Sequence, residues 1–330
     1  MPFFGLYLPT FKYPGASDAQ IFERAAEIAV AAERAGFDAL FPMDHFLQIP
    51  LHGAPTDPML EAYTLLGGLA ARTSRLRLGT LVTSVTYRNP ALVAKMVTTL
   101  DVISAGRAIL GIGAGYYEAE HRAYGFDLPP VAERMDRLEE ALRVCRAMFA
   151  EEAPSFQGRY YRLEGALNYP RPVQPGGPPI LVGGSGERRT LRLVAQYADM
   201  CNLILGDLAT TRHKLGVLAD HCAAVGRDPG RILKTRNSPV MLARSRAEAE
   251  ARLAGMLAGM ATALPGFDSE AARRGLIVGD ADGVVEQVGA YLEAGLDGLT
   301  LAIRDLHDPE PVARVGEALT KAFGARQPVG

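Results

Sequence analysis

Long apolar runs are missing from this chain, and so is any strong bias of charge. The formal net charge is −2 and the pI about 6.3, so no basic face is implied for a nucleic acid or an anionic membrane. No segment has the length and hydrophobicity of a membrane span. The N-terminal MPFFGLYLPT lacks a basic region followed by an apolar stretch, so no signal peptide is expected. Cysteine is scarce. Cys145, Cys201 and Cys222 are scattered without a CxxC, which fits reduced thiols and a cytoplasmic protein. Lysine occurs at only five positions, with arginine in its place. The histidines His45, His52, His121, His213, His221 and His307 form no HxH or HExxH, so no metal site is expected and a metal-dependent hydrolase lacks its ligands. There is no GxSxG elbow and no cysteine in a nucleophile context, which argues against covalent hydrolase chemistry.

What is present is a repeated strand-then-helix rhythm over 330 residues with 48% hydrophobic content, ample for a large core. Phe4 to Leu8 reads as a strand, and Ser17 to Gln20 has capping-box spacing ahead of a helix that Gly36 stops. Ala39 to Phe41 is a second strand and Leu60 to Ala71 a second helix. Leu76 to Val82 is expected as the third strand. Asn89-Pro90 caps a helix whose apolar face is Leu92, Val93, Met96, Val97 and Leu100. Ala108 to Ile112, Ile180 to Val182, Met200 to Leu205, Leu233 to Leu242 and Gly298 to Ile303 supply the later strands. Asp280 or Asp282 caps a helix closed by Gly295, and the last helix ends near Phe323. Eight such units favour one α/β domain over residues 1–330, a (β/α)8 barrel, rather than an open doubly wound sheet: GxGxG after the fourth strand is not the GxGxxG expected after the first. Two insertions interrupt it, a hairpin or extended loop at about 151–178 and an Ala/Gly/Met-rich segment at about 251–275 whose form the pattern leaves open.

Arg75 to Gly125 is the most informative stretch, because both of its strands end unusually. The first runs into Thr80-Leu81-Val82-Thr83 without a turn residue; it is a longer strand or a bulge pressed on a ligand. The second ends in Gly111-Ile112-Gly113-Ala114-Gly115, where backbone can approach a flat ligand. Tyr116, Tyr117, Glu118, Glu120 and His121 follow; one or two are expected to face the pocket, and spacing does not rank the two glutamates. Gly183-Gly184-Ser185-Gly186, between strand and helix, suits a phosphate, the plainer alternative being a glycine-rich turn. Asp44-His45, past the second strand, either hold a cofactor edge and move protons or cap and pack a loop.

Taken together, AERAGFDALFPMDH, RNPALVAKMVTTLDVISAGR, GIGAGYYEAEHRAYG and LVGGSGE resemble the bacterial luciferase-like family, and its coenzyme F420 subgroup more than its FMN subgroup. The resemblance implies hydride transfer between F420 and a small organic substrate, with the cofactor across the barrel mouth. It places Asp44 near the deazaflavin ring and His45 on the substrate side, with Tyr116 or Tyr117 assisting. Thr80, Leu81 and Val82 correspond to a bulge, often a non-proline cis peptide, that backs the ring. Ala114 and Gly115 correspond to backbone contacts with the ring or ribityl chain, and Gly183, Gly184, Ser185 and Gly186 to the phosphate loop. A homodimer is implied, with an enzyme that regenerates reduced cofactor as a further partner. One departure stands out. The family's sugar-phosphate dehydrogenases carry a Glu after the second loop glycine and a Trp shortly after the His; here those positions are Tyr116 and, roughly, Ile49, in a chain without tryptophan. The rival readings are an FMN-dependent monooxygenase on the same fold and a cofactor-binding barrel without turnover.

Overall fold

The computed structural model describes residues 1–204, 206–263, 266–304 and 306–324. Twelve strands lie among them: β1 (Phe3–Leu8), β2 (Ala39–Pro42), β3 (Arg77–Leu78), β4 (Thr83–Ser84), β5 (Leu110–Gly113), β6 (Phe156–Gln157), β7 (Arg162–Leu163), β8 (Ile180–Gly183), β9 (Met200–Leu203), β10 (Leu233–Leu242), β11 (Ile277–Gly279) and β12 (Gly298–Ile303). The helices are α1 (Ile21–Arg34), α2 (Ala62–Ala70), α3 (Pro90–Ile103), α4 (Glu118–Tyr124), α5 (Val131–Ala150), α6 (Thr190–Tyr197), α7 (Leu208–Ala224), α8 (Arg246–Ala263), α9 (Ser269–Arg274), α10 (Ala281–Glu293) and α11 (Pro309–Phe323). None is long and apolar enough to cross a membrane.

All barrel pairings are parallel, in the order β3-β2-β1-β12-β10-β9-β8-β5-β4. A Leu78–Ala108 bridge joins β3 to the residues leading into β5, the strand that β4 also pairs, so β3 and β4 are the halves of one barrel strand and the sheet closes as a (β/α)8 barrel. Residue alternation produces two shells. Phe3 and Tyr7 of β1 point into the barrel with Phe41, Leu181 and Met200, while Phe4, Leu6 and Leu8 point out to the helices.

The expected third strand, Leu76 to Val82, is broken. Gly79 and Leu81 still donate to Leu40 and Pro42, at 3.4 and 3.1 Å, but the ladder to β5 resumes only at Thr83. The Thr80 hydroxyl takes over part of it, donating to the Gly111 carbonyl at 3.0 Å and accepting the Thr83 N–H at 3.1 Å. The Leu81–Val82 peptide is cis. On α3, Val93, Val97 and Leu100 are buried as expected, but Leu92 is exposed, one step off the face that meets the barrel. Ser17 and Gln20 form a capping box, Asn89 caps α3 with Pro90 at its first position, and Asp280 rather than Asp282 caps α10. Residues 151–178 contain the β6–β7 hairpin and an extended return. The second interruption is a helix pair, α8 and α9, beginning at Arg246; Leu264 and Pro265 within it, and Leu205 of the expected sixth strand, lie outside the described residues.

Candidate active site

A cavity of about 730 Å³ opens where the barrel strands end. His45, Asp44, Leu81, Val82, Ala114, Gly115, Tyr116 and Gly183 to Gly186 all line it, so strands far apart in sequence deliver their ends to one place. Thr80 does not reach it. Its side chain is fully buried and turned toward the Gly111 carbonyl.

His45 is held from behind. Its Nδ1 lies 2.8 Å from Oε2 of Glu120, which is completely buried. Glu120 also accepts from the Tyr87 hydroxyl and from the backbone N–H groups of Phe46 and Leu47, the last at 2.7 Å. Burial pushes the Glu120 carboxyl up, but the bonds from His45 and Tyr87 overcome it and hold the group below its ordinary value. Glu120 is therefore ionised at neutral pH and can only accept, so Nδ1 of His45 carries a proton and Nε2 points away from the carboxylate. The rings of Tyr116 and Tyr117 meet the imidazole edge-on, with centroids 5.6 and 5.9 Å away. Tyr116 sits exposed at the cavity mouth, where partial desolvation followed by the charge of Glu120 pushes its phenol up to about 12, so it keeps its proton. Glu118 is exposed on the outer face of α4. His121 is structural: Nδ1 bonds the Tyr117 carbonyl at 2.7 Å and Nε2 the Thr86 hydroxyl at 2.6 Å.

Asp44 has both oxygens engaged by Arg88, at 2.7 and 3.1 Å, and Arg88 continues to Glu61 at 2.6 Å. The guanidinium also lies over the Tyr63 ring. Burial raises the Asp44 carboxyl and Arg88 opposes the rise. The aspartate thus joins the end of β2 to the β4–α3 connection before it touches any ligand. His52, also lining the cavity, is depressed to about 4 by burial, then by Arg304 and His45, and is neutral at pH 7.

The glycines have steric reasons. A Cβ on Gly113 would come within 2.8 Å of Val82, and one on Gly183 within 2.9 Å. In the Gly183–Gly186 loop, Gly184 has φ +129° and a Cβ on Gly186 would meet Thr190 at 2.8 Å. The Gly184 N–H is spent on the Asn202 carbonyl, so an anion here would be met by the amides that follow.

Tyr87 and Arg88 are the site residues that sequence reasoning did not single out; Glu120 was among its candidates but unranked against Glu118. Glu120 was visible in GYYEAEH, but only burial distinguishes it from Glu118.

Fold and cavity together define a class: a closed parallel barrel whose strand ends form a glycine-lined slot beside a carboxylate-braced histidine. Residues 2–298 match the family model described as luciferase-like monooxygenase, and the chain belongs to that family. It is 32% identical over 301 residues to an F420-dependent glucose-6-phosphate dehydrogenase of Segniliparus rotundus, covering 83% of this chain and 85% of that one. A protein of the same description from Kineococcus radiotolerans is 37% identical over 219 residues, a match spanning 64% of this chain and 62% of that relative. Among solved structures, an F420-dependent secondary alcohol dehydrogenase in complex with an F420-acetone adduct superimposes with a TM-score of 0.82 at 19% identity, over 97% of this chain and 99% of that one.

Proposed function

We propose that this protein is an oxidoreductase that transfers a hydride between coenzyme F420 and a small organic substrate, with His45 as the proton-transfer group. The observation that carries the reading is the His45–Glu120 pair at the cavity wall, beside the Leu81–Val82 peptide and the glycine loops. The F420-dependent relatives support the cofactor assignment.

The residues fit such a cofactor. The slot between Leu81–Val82 and Ala114–Gly115 is lined by backbone and aliphatic groups that suit a flat ring, and Ser185 and Gly186 can meet a phosphate. The cofactor would supply the carbon that gives or takes the hydride. The chain supplies orientation and the proton. Nε2 of His45 accepts a proton as the substrate is oxidised or returns one as it is reduced, and Glu120 stabilises the protonated ring. Tyr116, kept protonated, donates a hydrogen bond at the mouth. Asp44, fixed by Arg88, presents a rigid polar edge to the ring.

We also assign it to the cytoplasm, as a homodimer supplied by an enzyme that regenerates the cofactor. The three buried thiols, unpaired in the structure, suit a reducing compartment.

Titrating F420 and FMN side by side into the purified protein tests the cofactor. Tight F420 binding with weak FMN is expected; preference for FMN would move the protein to oxygen-using chemistry. His45→Ala in the F420-loaded enzyme should lower turnover by about 10²–10⁴-fold with little change in cofactor affinity. Equal losses in both would remove the proton-transfer role.

A further inference from the structure

The cavity is two-sided, and only one side is explained by a cofactor. The other side is built by the α8–α9 insertion. Met256, Leu257 and Met260 of α8, Phe267 ahead of α9, Ala272 of α9 and Leu276 just beyond it all line the cavity, and all are apolar. Met256 and Met260 are one turn apart on the same face of α8, while Leu253 and Leu257 pack the helix down onto Met241 and Val278. Met43, Ile49 and Leu51 line the same cavity.

Among the described residues, this lining carries little charge. Asp44 is neutralised by Arg88, and His52 is uncharged at neutral pH. Among the described lining residues Arg304 is the one arginine, and there is no lysine. A phosphate dianion buried against a methionine and leucine wall would lose its hydration with one guanidinium in return, which is unfavourable. A sugar's hydroxyls lying against the α8–α9 wall would likewise meet methyl and methylene groups instead of donors and acceptors. A hydrophobic body gains there, and methionine's flexible thioether adapts to irregular shapes.

We propose that the α8–α9 wall selects an uncharged, largely apolar substrate, such as a medium-chain or cyclic secondary alcohol or its ketone, and rejects phosphorylated sugars. This rests on the hydride-transfer reading for its chemistry. In the oxidation direction the bound cofactor would take the hydride as the carbinol C–H breaks, the hydroxyl proton would pass to Nε2 of His45 and the C=O double bond would form; ketone reduction would run the same transfers in reverse. The wall's own role concerns binding alone.

Saturation-transfer NMR on the F420-loaded protein, with 2-octanol, cyclohexanol and glucose 6-phosphate as probes, reads that role directly. Transfer to the two alcohols is expected, with none to glucose 6-phosphate. The Met256→Lys/Met260→Lys variant should weaken alcohol binding about tenfold or more with F420 affinity unchanged, whereas Met256→Leu/Met260→Leu should keep it. Binding of glucose 6-phosphate in preference to the alcohols would overturn the proposal, and so would alcohol binding that ignores the lysines. Repeating the alcohol titrations on cofactor-free protein separates the two readings: if F420 fails to bind but the lysine-sensitive alcohol site persists, the hydride-transfer reading falls and the apolar wall stands.

Discussion

At the scale of single residues, the site depends on one buried carboxylate that is not among the residues lining the cavity. Glu120 gathers four donors, and every one needs an acceptor. In Glu120→Gln, an amide N–H must face either the backbone pair or the His45–Tyr87 pair. Turned toward His45, it favours the other tautomer, with Nδ1 accepting and Nε2–H facing the cavity. Turnover should then fall by about 10²–10⁴-fold at unchanged cofactor affinity, and ¹⁵N NMR of His45 should report the tautomer exchange. Unchanged ring-nitrogen shifts would make Glu120 merely structural. Stability gives a second check. Because the folded carboxyl lies below its unfolded value, its stabilisation is present above the unfolded value and is lost as pH falls through the folded one. Glu120→Gln should therefore be less stable at neutral pH and lose less on acidification. His52 acts over a different window. The unfolded chain takes up its proton near 6.5 and the folded protein only near 4, so stability is complete above 6.5, falls toward 4 and is flat below. The span corresponds to on the order of 3 kcal/mol. His52→Gln should flatten that slope in denaturant titrations across the same pH range; an unaltered slope would place the acid sensitivity elsewhere.

At the scale of elements, the glycine runs at strand ends were legible in the sequence because a missing side chain is a local signal. Gly111 to Gly115 and Gly183 to Gly186 stand where the barrel puts its mouth. The break inside Leu76 to Val82 was not legible, since an apolar run reads as a buried strand whether or not its ladder is continuous. Arg88 escaped notice because its partner Asp44 lies 44 residues away, and the two meet only after β2 and β4 are set in one barrel. Glu118 and Glu120 share the first turn of a short helix, and docking, not spacing, decides which is buried. The steric role of the glycines can be tested. An alanine at Gly183 would press on Val82 at 2.9 Å, and Val82 is branched at the point of contact. Gly183→Ala should weaken cofactor binding by about tenfold, and adding Val82→Ala should recover part of the loss, a coupling visible in a double-mutant cycle. Simple additivity would show that the two side chains do not compete for the same space.

At the scale of the whole molecule, the barrel and the α8–α9 insertion are held by different cores. The barrel and its helices share one large cluster, with a second filling the barrel interior. Residues of α8 belong instead to a small satellite cluster made of Met241, Ala243, Ala249, Leu253, Leu257 and Val278. This explains why the segment was hard to read from sequence. Its alanines and glycines give little periodic signal, and several of its large apolar residues are placed for the cavity rather than for a core face. It also has a consequence for motion. A satellite cluster of six residues buries much less apolar surface than the barrel, so the helix pair can open without unfolding the rest. Native-state hydrogen exchange across a denaturant series should show α8 amides exchanging through an opening of lower free energy than those of β12, which is paired on both sides, between β1 and β10. Ligand on the apolar wall should raise the protection of α8 and of β12 alike, because the wall is lost both in the local opening and in global unfolding. Exchange of α8 and β12 at one common free energy would mean that the insertion and the barrel unfold as one unit, with no separate door to the cavity.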